Sequence, residues 1–253
     1  MKAFAAALAC ALLTLTAPAV AHPDISGYWM ISFKPVPPNR PATPFEQGLI
    51  DTLPKGAKLL ADSGLAEFKP GDYGGLKIRP DLVEAARHYD PEVQRSVSNT
   101  CRPPSILYSM QGPFPMEIFE GRDLIVIKME YFDLVRIIFM NETTHPDGWP
   151  NSFTGHSIGH WEGDDLVVDT VDLQPSTLFN NGIDHSAKLH LVERFRLSPD
   201  GKTLGVTQLF EDPDVFEGQA ARFMPLDKMD GQHVYPYDCD PSYGLAVENR
   251  ERK

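Results

Sequence analysis

The chain has 253 residues and a formal net charge of −12. It contains no basic stretch, which makes nucleic acid and anionic membrane surfaces poor candidates for partners. Hydrophobic residues make up 42% of it, yet beyond the N-terminus no run is apolar for long enough to span a bilayer as a helix.

Residues 1–21 read as a secretory signal peptide. Lys2 supplies the positive start, Ala3 to Leu15 the apolar stretch, and Ala19-Val20-Ala21 a small-x-small cleavage site. Cleavage after Ala21 predicts a soluble periplasmic or secreted product of about 230 residues, one domain over 22–253. Of the three cysteines, Cys10 leaves with the signal. Cys101 and Cys239 remain, and an even count in an oxidising compartment predicts one disulfide.

Residues 22–104 combine an opening strand with a helical, proline-rich section. Asp24 to Ser32 predicts the strand, and Pro35 to Pro44 breaks regular structure. Short helices are predicted over 45–52, 55–63, Asp81 to His88 and Pro91 to Val97. Residues 105–240 form a meander. Strands are predicted over Met116–Phe119, Leu124–Glu130 and Leu134–Met140, followed by a hairpin whose turn is Glu162-Gly163-Asp164-Asp165. In its second strand Leu166, Val168 and Thr170 point one way, and Val167, Asp169 and Val171 the other. His156 and His160 share a face of the first. Further strands follow over Lys188–Leu197, Thr203–Phe210, Gly218–Met224 and His233–Asp238, with a strong turn signal at Ser198-Pro199-Asp200-Gly201-Lys202.

Short strands joined by tight turns predict a mainly β fold, an antiparallel up-and-down barrel with short N-terminal helices. Gly27-Tyr28-Trp29 is similar to the Gly-x-Trp of the first strand in calycin and lipocalin-like barrels. The chain also resembles a family of exported bacterial proteins found in sphingomonads and related soil and aquatic bacteria. That resemblance is carried by Ser26-Gly27-Tyr28-Trp29, Cys101-Arg102-Pro103-Pro104, Pro113 to Ile118, and above all Gly155 to Thr170. His160 stands where family members usually have arginine. The resemblance implies a β-rich exported fold and supplies no chemistry.

Five histidines crowd residues 145–190, and imidazole is the side chain suited to proton transfer near neutral pH. The catalytic candidates are His156 as the proton-transfer residue, Asp169 as its orienter, His185 as a second acid or base, and Arg136 as an anion holder. Tyr131, Glu130, His145, His190, Phe179 and Trp149 are the candidate binding residues around a barrel pocket. Glu193 and Arg194 are expected to alternate outward into water. No His-x-His or His-Glu-x-x-His spacing is present, so neither a metal nor another cofactor is expected. Gly155-His156-Ser157-Ile158-Gly159 matches a nucleophile elbow only on paper, because a strand follows it rather than a helix.

Two functions compete. One is an exported lyase, isomerase or hydrolase that acts on a small, partly apolar organic molecule by metal-independent acid–base chemistry. The other is a periplasmic lipocalin-like carrier of a lipophilic compound. A filled barrel with no cavity would instead indicate a structural envelope protein. The interior discriminates among them, and oligomeric state is left open.

Overall fold

The computed structural model describes residues 22–62, 67–89 and 101–242. The signal segment 1–21 and the helix expected over Pro91 to Val97 lie outside the described residues. Nine strands close a barrel: β1 (Gly27–Ile31), β3 (Met116–Glu120), β4 (Leu124–Met129), β5 (Val135–Phe139), β6 (His156–Glu162), β7 (Asp165–Val171), β10 (His190–Leu197), β11 (Thr203–Glu211) and β12 (Ala220–Lys228). The β12–β1 pairing seals it, with Trp29 opposite Lys228.

Two pairings depart from the expected antiparallel pattern. β5 and β6 run parallel, Phe139 opposite Ile158, because residues 140–155 form a crossover long enough to bring the chain back. The two-residue β2 (Lys58–Leu59) runs parallel to the start of β12. That strand replaces the helix expected over 55–63. Gly56 adopts φ +100° in a turn closed by Ala57 N–H donating to the Pro54 carbonyl at 3.1 Å, which ends helical geometry before it starts.

The expected closing strand over His233–Asp238 is also absent. β1 already occupies the edge of β12, and Tyr235 and Tyr237 donate their backbone N–H groups to the carboxylates of Glu130 and Asp133 at 3.0 and 3.1 Å. Pro236 between them has no N–H for a ladder. A small separate sheet pairs β8 (Ser176–Phe179) with β9 (Ile183–His185).

Helix α1 (Pro44–Ile50) starts as its sequence dictates. Thr43 caps Glu46 N–H while the Glu46 carboxylate accepts from Thr43 N–H, and Pro44 takes the first turn. It packs Phe45 and Leu49 onto β11 over Gly205, where an added Cβ would stand 2.5 Å from Leu49. Helix α2 (Pro80–Ala86) matches the helix expected from Asp81. A four-residue α3 (Ile106–Ser109) was not foreseen.

Core side chains line the barrel interior. Trp29, Phe195 and Phe210 are almost fully buried there, and the Trp29 indole N–H donates to the Ile25 carbonyl at 2.9 Å. Glu193 belongs to this interior, a correction to its expected outward placement. It alternates with Val192 and Arg194, and the inner position falls on Glu193 because Leu191 and Phe195 flank it on the core side. Arg136 from β5 pairs with it, and donates to Ser157 at 3.1 Å and Thr170 at 2.9 Å. Gln208 donates to the other Glu193 oxygen at 3.0 Å. A second buried pair, Arg222 with Asp62, lies between the Phe210 and Phe179 rings, 5.0 and 5.5 Å from the guanidinium carbon.

A disulfide joins Cys101 to Cys239 across a sequence separation of 138, as the cysteine count predicted. Closing a loop of that length contributes about 4–5 kcal/mol by restricting the unfolded chain. Replacing both cysteines by serine is therefore expected to lower unfolding stability by up to that amount, read from urea melts of oxidised wild type and variant. Equal midpoints would show that the bond constrains nothing. Among the described residues no helix is long and apolar enough to cross a membrane.

Candidate functional site

Strand alternation decides which face each histidine takes. Ser157, Gly159 and Trp161 of β6 sit opposite Thr170, Val168 and Leu166 of β7, all on the inner side. His156, Asp169 and the neighbouring His190 therefore fall on the outer wall, which corrects the expected location inside a barrel pocket. The apolar residues of β7 claim the interior, so the polar residues between them face out.

Gly155 sets the entry to β6. It adopts φ +64°, and a Cβ there would lie 2.5 Å from the Val171 carbonyl oxygen. Only glycine lets the two backbones meet that closely, and this contact fixes where His156 begins the strand.

On the outer wall five side chains form a chain of contacts. His145, from the crossover, places Nδ1 2.8 Å from Nδ1 of His156. Its Nε2–H donates to Asp169 at 3.1 Å, and His190 Nε2–H donates to the same carboxylate oxygen at 3.0 Å. At the other end Glu142 Oε2 lies 3.3 Å from His156 Nε2, off the hydrogen-bonding direction, so that buried nitrogen has no hydrogen-bond partner. The His156 ring is stacked on Phe139, with centroids 5.0 Å apart and planes 15° apart, and meets Trp149 edge-on at 4.5 Å.

The accessible members are not those that spacing alone selected. The His156 side chain is fully buried, whereas those of His145 and His190 are 21% and 38% exposed. A molecule arriving from solvent meets His145, His190, Asp169 and Trp149 first. His145 and His190, expected only to bind, are placed where protons can be exchanged. No family model matches this chain, and no curated protein matches it.

The environments push the two strand histidines apart. Burial lowers the His156 pKa below its ordinary 6.5, and the neighbouring His145 adds to this. The hydrogen bond to Asp169 raises that of His190 above 6.5, against its partial burial. Burial opposes ionisation of Asp169, yet hydrogen bonds from His190 and His145 outweigh it and hold its carboxyl below 3.8. Divergent pKa values in one cluster are what an acid–base pair requires.

The remaining candidates lie elsewhere. Arg136 is fully buried inside the barrel and committed to Glu193. His185, on β9, is buried, and burial lowers its pKa. Its Nδ1–H donates to the Ser186 carbonyl at 2.9 Å, and its Nε2 accepts from the Ser105 hydroxyl at 2.7 Å. Phe179 packs against Phe68 in the same region. Tyr131 stacks on Phe114 at 4.8 Å, and Glu130 anchors the C-terminal segment. Glu142 is the member that sequence reasoning missed. It lies in the crossover with no motif around it, and only the fold brings it to His156. Among the described residues no group of three or more His, Cys, Asp or Glu side chains has metal-holding geometry.

Proposed function

We propose that this protein is an exported enzyme acting on a small, partly apolar organic molecule by proton transfer, as a lyase, isomerase or hydrolase, with its site on the outer wall of the barrel. The observation that carries this is the 2.8 Å contact between the Nδ1 atoms of His145 and His156. A hydrogen bond between two imidazole nitrogens needs one proton between them. With that proton on His156, His145 is neutral and its Nε2–H donates to Asp169. For that proton to pass to His145, His156 must take up a second proton at Nε2, on the side of Glu142, and the pair then holds one extra charge. Uptake at the His156 end therefore lets the His145 end release a proton. His145 is the member that would exchange it with substrate, His156 the buried reservoir, and His190, whose pKa the hydrogen bond to Asp169 raises, the acid.

Export is part of this reading. The Cys101–Cys239 bond fits an oxidising compartment, and the N-terminal signal pattern agrees. The carrier reading has less support, because the interior that holds Trp29, Phe195 and Phe210 also holds the charged Arg136–Glu193 pair, which a lipophilic ligand would have to lie against.

The test is comparative metabolite profiling. Wild type and Asp169→Asn are incubated with an extract, and the mass spectra compared. Depletion of a compound by wild type alone is expected, and identical profiles would defeat the reading. The rate on that compound is expected to be bell-shaped in pH. It rises as His156 loses its proton at a pKa below 6.5 and falls as His190 loses its own above 6.5. A weakened variant at Asp169 loses the hydrogen bond that raises His190, so its alkaline limb moves to lower pH. An unmoved limb would remove His190 from the acid role.

A further inference from the structure

Among the described residues, the outer wall beside the histidines is apolar and exposed. Register places Leu124, Phe139, Ile158 and Asp169 in one row across β4, β5, β6 and β7. A parallel row runs Phe119, Val126 and Ile137 across β3, β4 and β5. Phe119, Leu124, Val135, Ile137 and Trp149 are all well exposed, Val135 to 50%. At the usual strand spacing the row from Leu124 to Asp169 is about 14 Å long. It is an apolar track that ends on the carboxylate at the centre of the histidine chain.

Charge at that end is negative. Glu142, Asp169 and Glu211 each keep between 38% and 46% of their side chains exposed around the cluster, and the hydrogen bond to Asp169 favours the charged form of His190. The Trp149 ring stands beside them, against the same His156 that Glu142 approaches. Exposed carboxylates next to an indole face suit an organic ammonium, which gains from both. His156 Nε2, buried and without a hydrogen-bond partner, faces this end and offers a further acceptor when neutral. On the far side of the track Lys128 stands opposite Glu117 in the β3–β4 register, so the apolar rows themselves carry no excess charge.

We propose that the molecule this site takes is an organic cation with an apolar body, its ammonium end at Trp149, Glu142 and Asp169 and its hydrocarbon part lying along Ile158, Phe139 and Leu124. That this cation is turned over rests on the catalytic reading, but its binding is measurable without turnover. The occupant is a small amphiphile because the track leads to the titratable groups, and carboxylates at its end attract a cation.

The experiment uses the full mature protein and three probes of equal length, octylammonium, octanoate and octanol, titrated by calorimetry with Trp fluorescence as a second readout. Octylammonium is expected to bind at least about tenfold tighter than octanoate, and lengthening it by one CH2 to strengthen binding by up to about fourfold. Glu142→Gln is expected to remove most of the preference for the cation. The double variant Leu124→Ser with Ile137→Ser, both at exposed positions, is expected to flatten the dependence on chain length while keeping the thermal transition. Octanoate binding as tightly as the amine, or a chain-length dependence that survives the double variant, would overturn the proposal. So would sedimentation showing a dimer that the double variant dissolves, since a second copy would then cover the face. Octylammonium binding as expected without any turnover in the extract would sink the catalytic reading and leave this site standing. Turnover that depends on His145 with no amine binding would do the reverse.

Discussion

Replacing His145 with alanine is expected to lower turnover by about 10²–10⁴-fold, the usual worth of a positioned proton-transfer group, and to leave the urea midpoint nearly unchanged. The side chain stands in the crossover with part of its surface in water and joins Asp169 to His156, while the apolar core lies on the other face of the wall, so its loss breaks the link without opening the core. His156→Ala tests the same chain from its buried end with a different signature. That ring is wedged between Phe139 and Trp149, so its removal is expected to cost up to about 3 kcal/mol of stability as well as activity. The contrast separates a proton relay from a packing cluster. If His145→Ala keeps full turnover on a compound that wild type consumes, the relay is not the chemistry. If it unfolds the protein, the imidazole is structural.

The second large effect concerns the interior. Arg136→Met or Glu193→Leu alone is expected to destabilise the fold by about 3–5 kcal/mol, because each leaves its fully buried partner uncompensated. Replacing the two together by Met and Leu is expected to recover most of that loss, since the desolvation cost of both charges disappears. Hydroxyls of Ser157 and Thr170, and the amide of Gln208, then need other partners, which limits the recovery. Denaturant titration of the four proteins yields the coupling energy. Two single losses that simply add in the double variant would mean that the pair is not energetically linked. Catalysis by the pair variant, once folded, tests the placement of Arg136 away from the reacting molecule.

Much of the architecture was legible residue by residue. The hairpin from Gly155 to Val171 reads correctly because alternation of period two and a Glu-Gly-Asp-Asp turn are both local properties. The opening strand, the three strands from Met116 and the pairing of Cys101 with Cys239 were legible for equally simple reasons. Where proline or a carboxylate competes for the backbone, as at Tyr235-Pro236-Tyr237, local β propensity misleads. The segment 55–63 misleads likewise, since one glycine turn and an available edge on β12 outweigh helical composition.

The chemistry was legible only in part. The sequence by itself determined that imidazoles crowd residues 145–190, that β6 and β7 alternate polar with apolar positions, and that two cysteines are left to pair. Only the tertiary structure decided which side of the wall they occupy, because a strand pattern states that two faces differ and not which one the core claims. It alone brought His145 and Glu142 from the crossover onto His156, sent Arg136 and Glu193 inward to each other, and left His185 apart beside Ser105. Those contacts join residues distant along the chain through barrel closure and a parallel crossover, and neither is encoded in the spacing of any one segment.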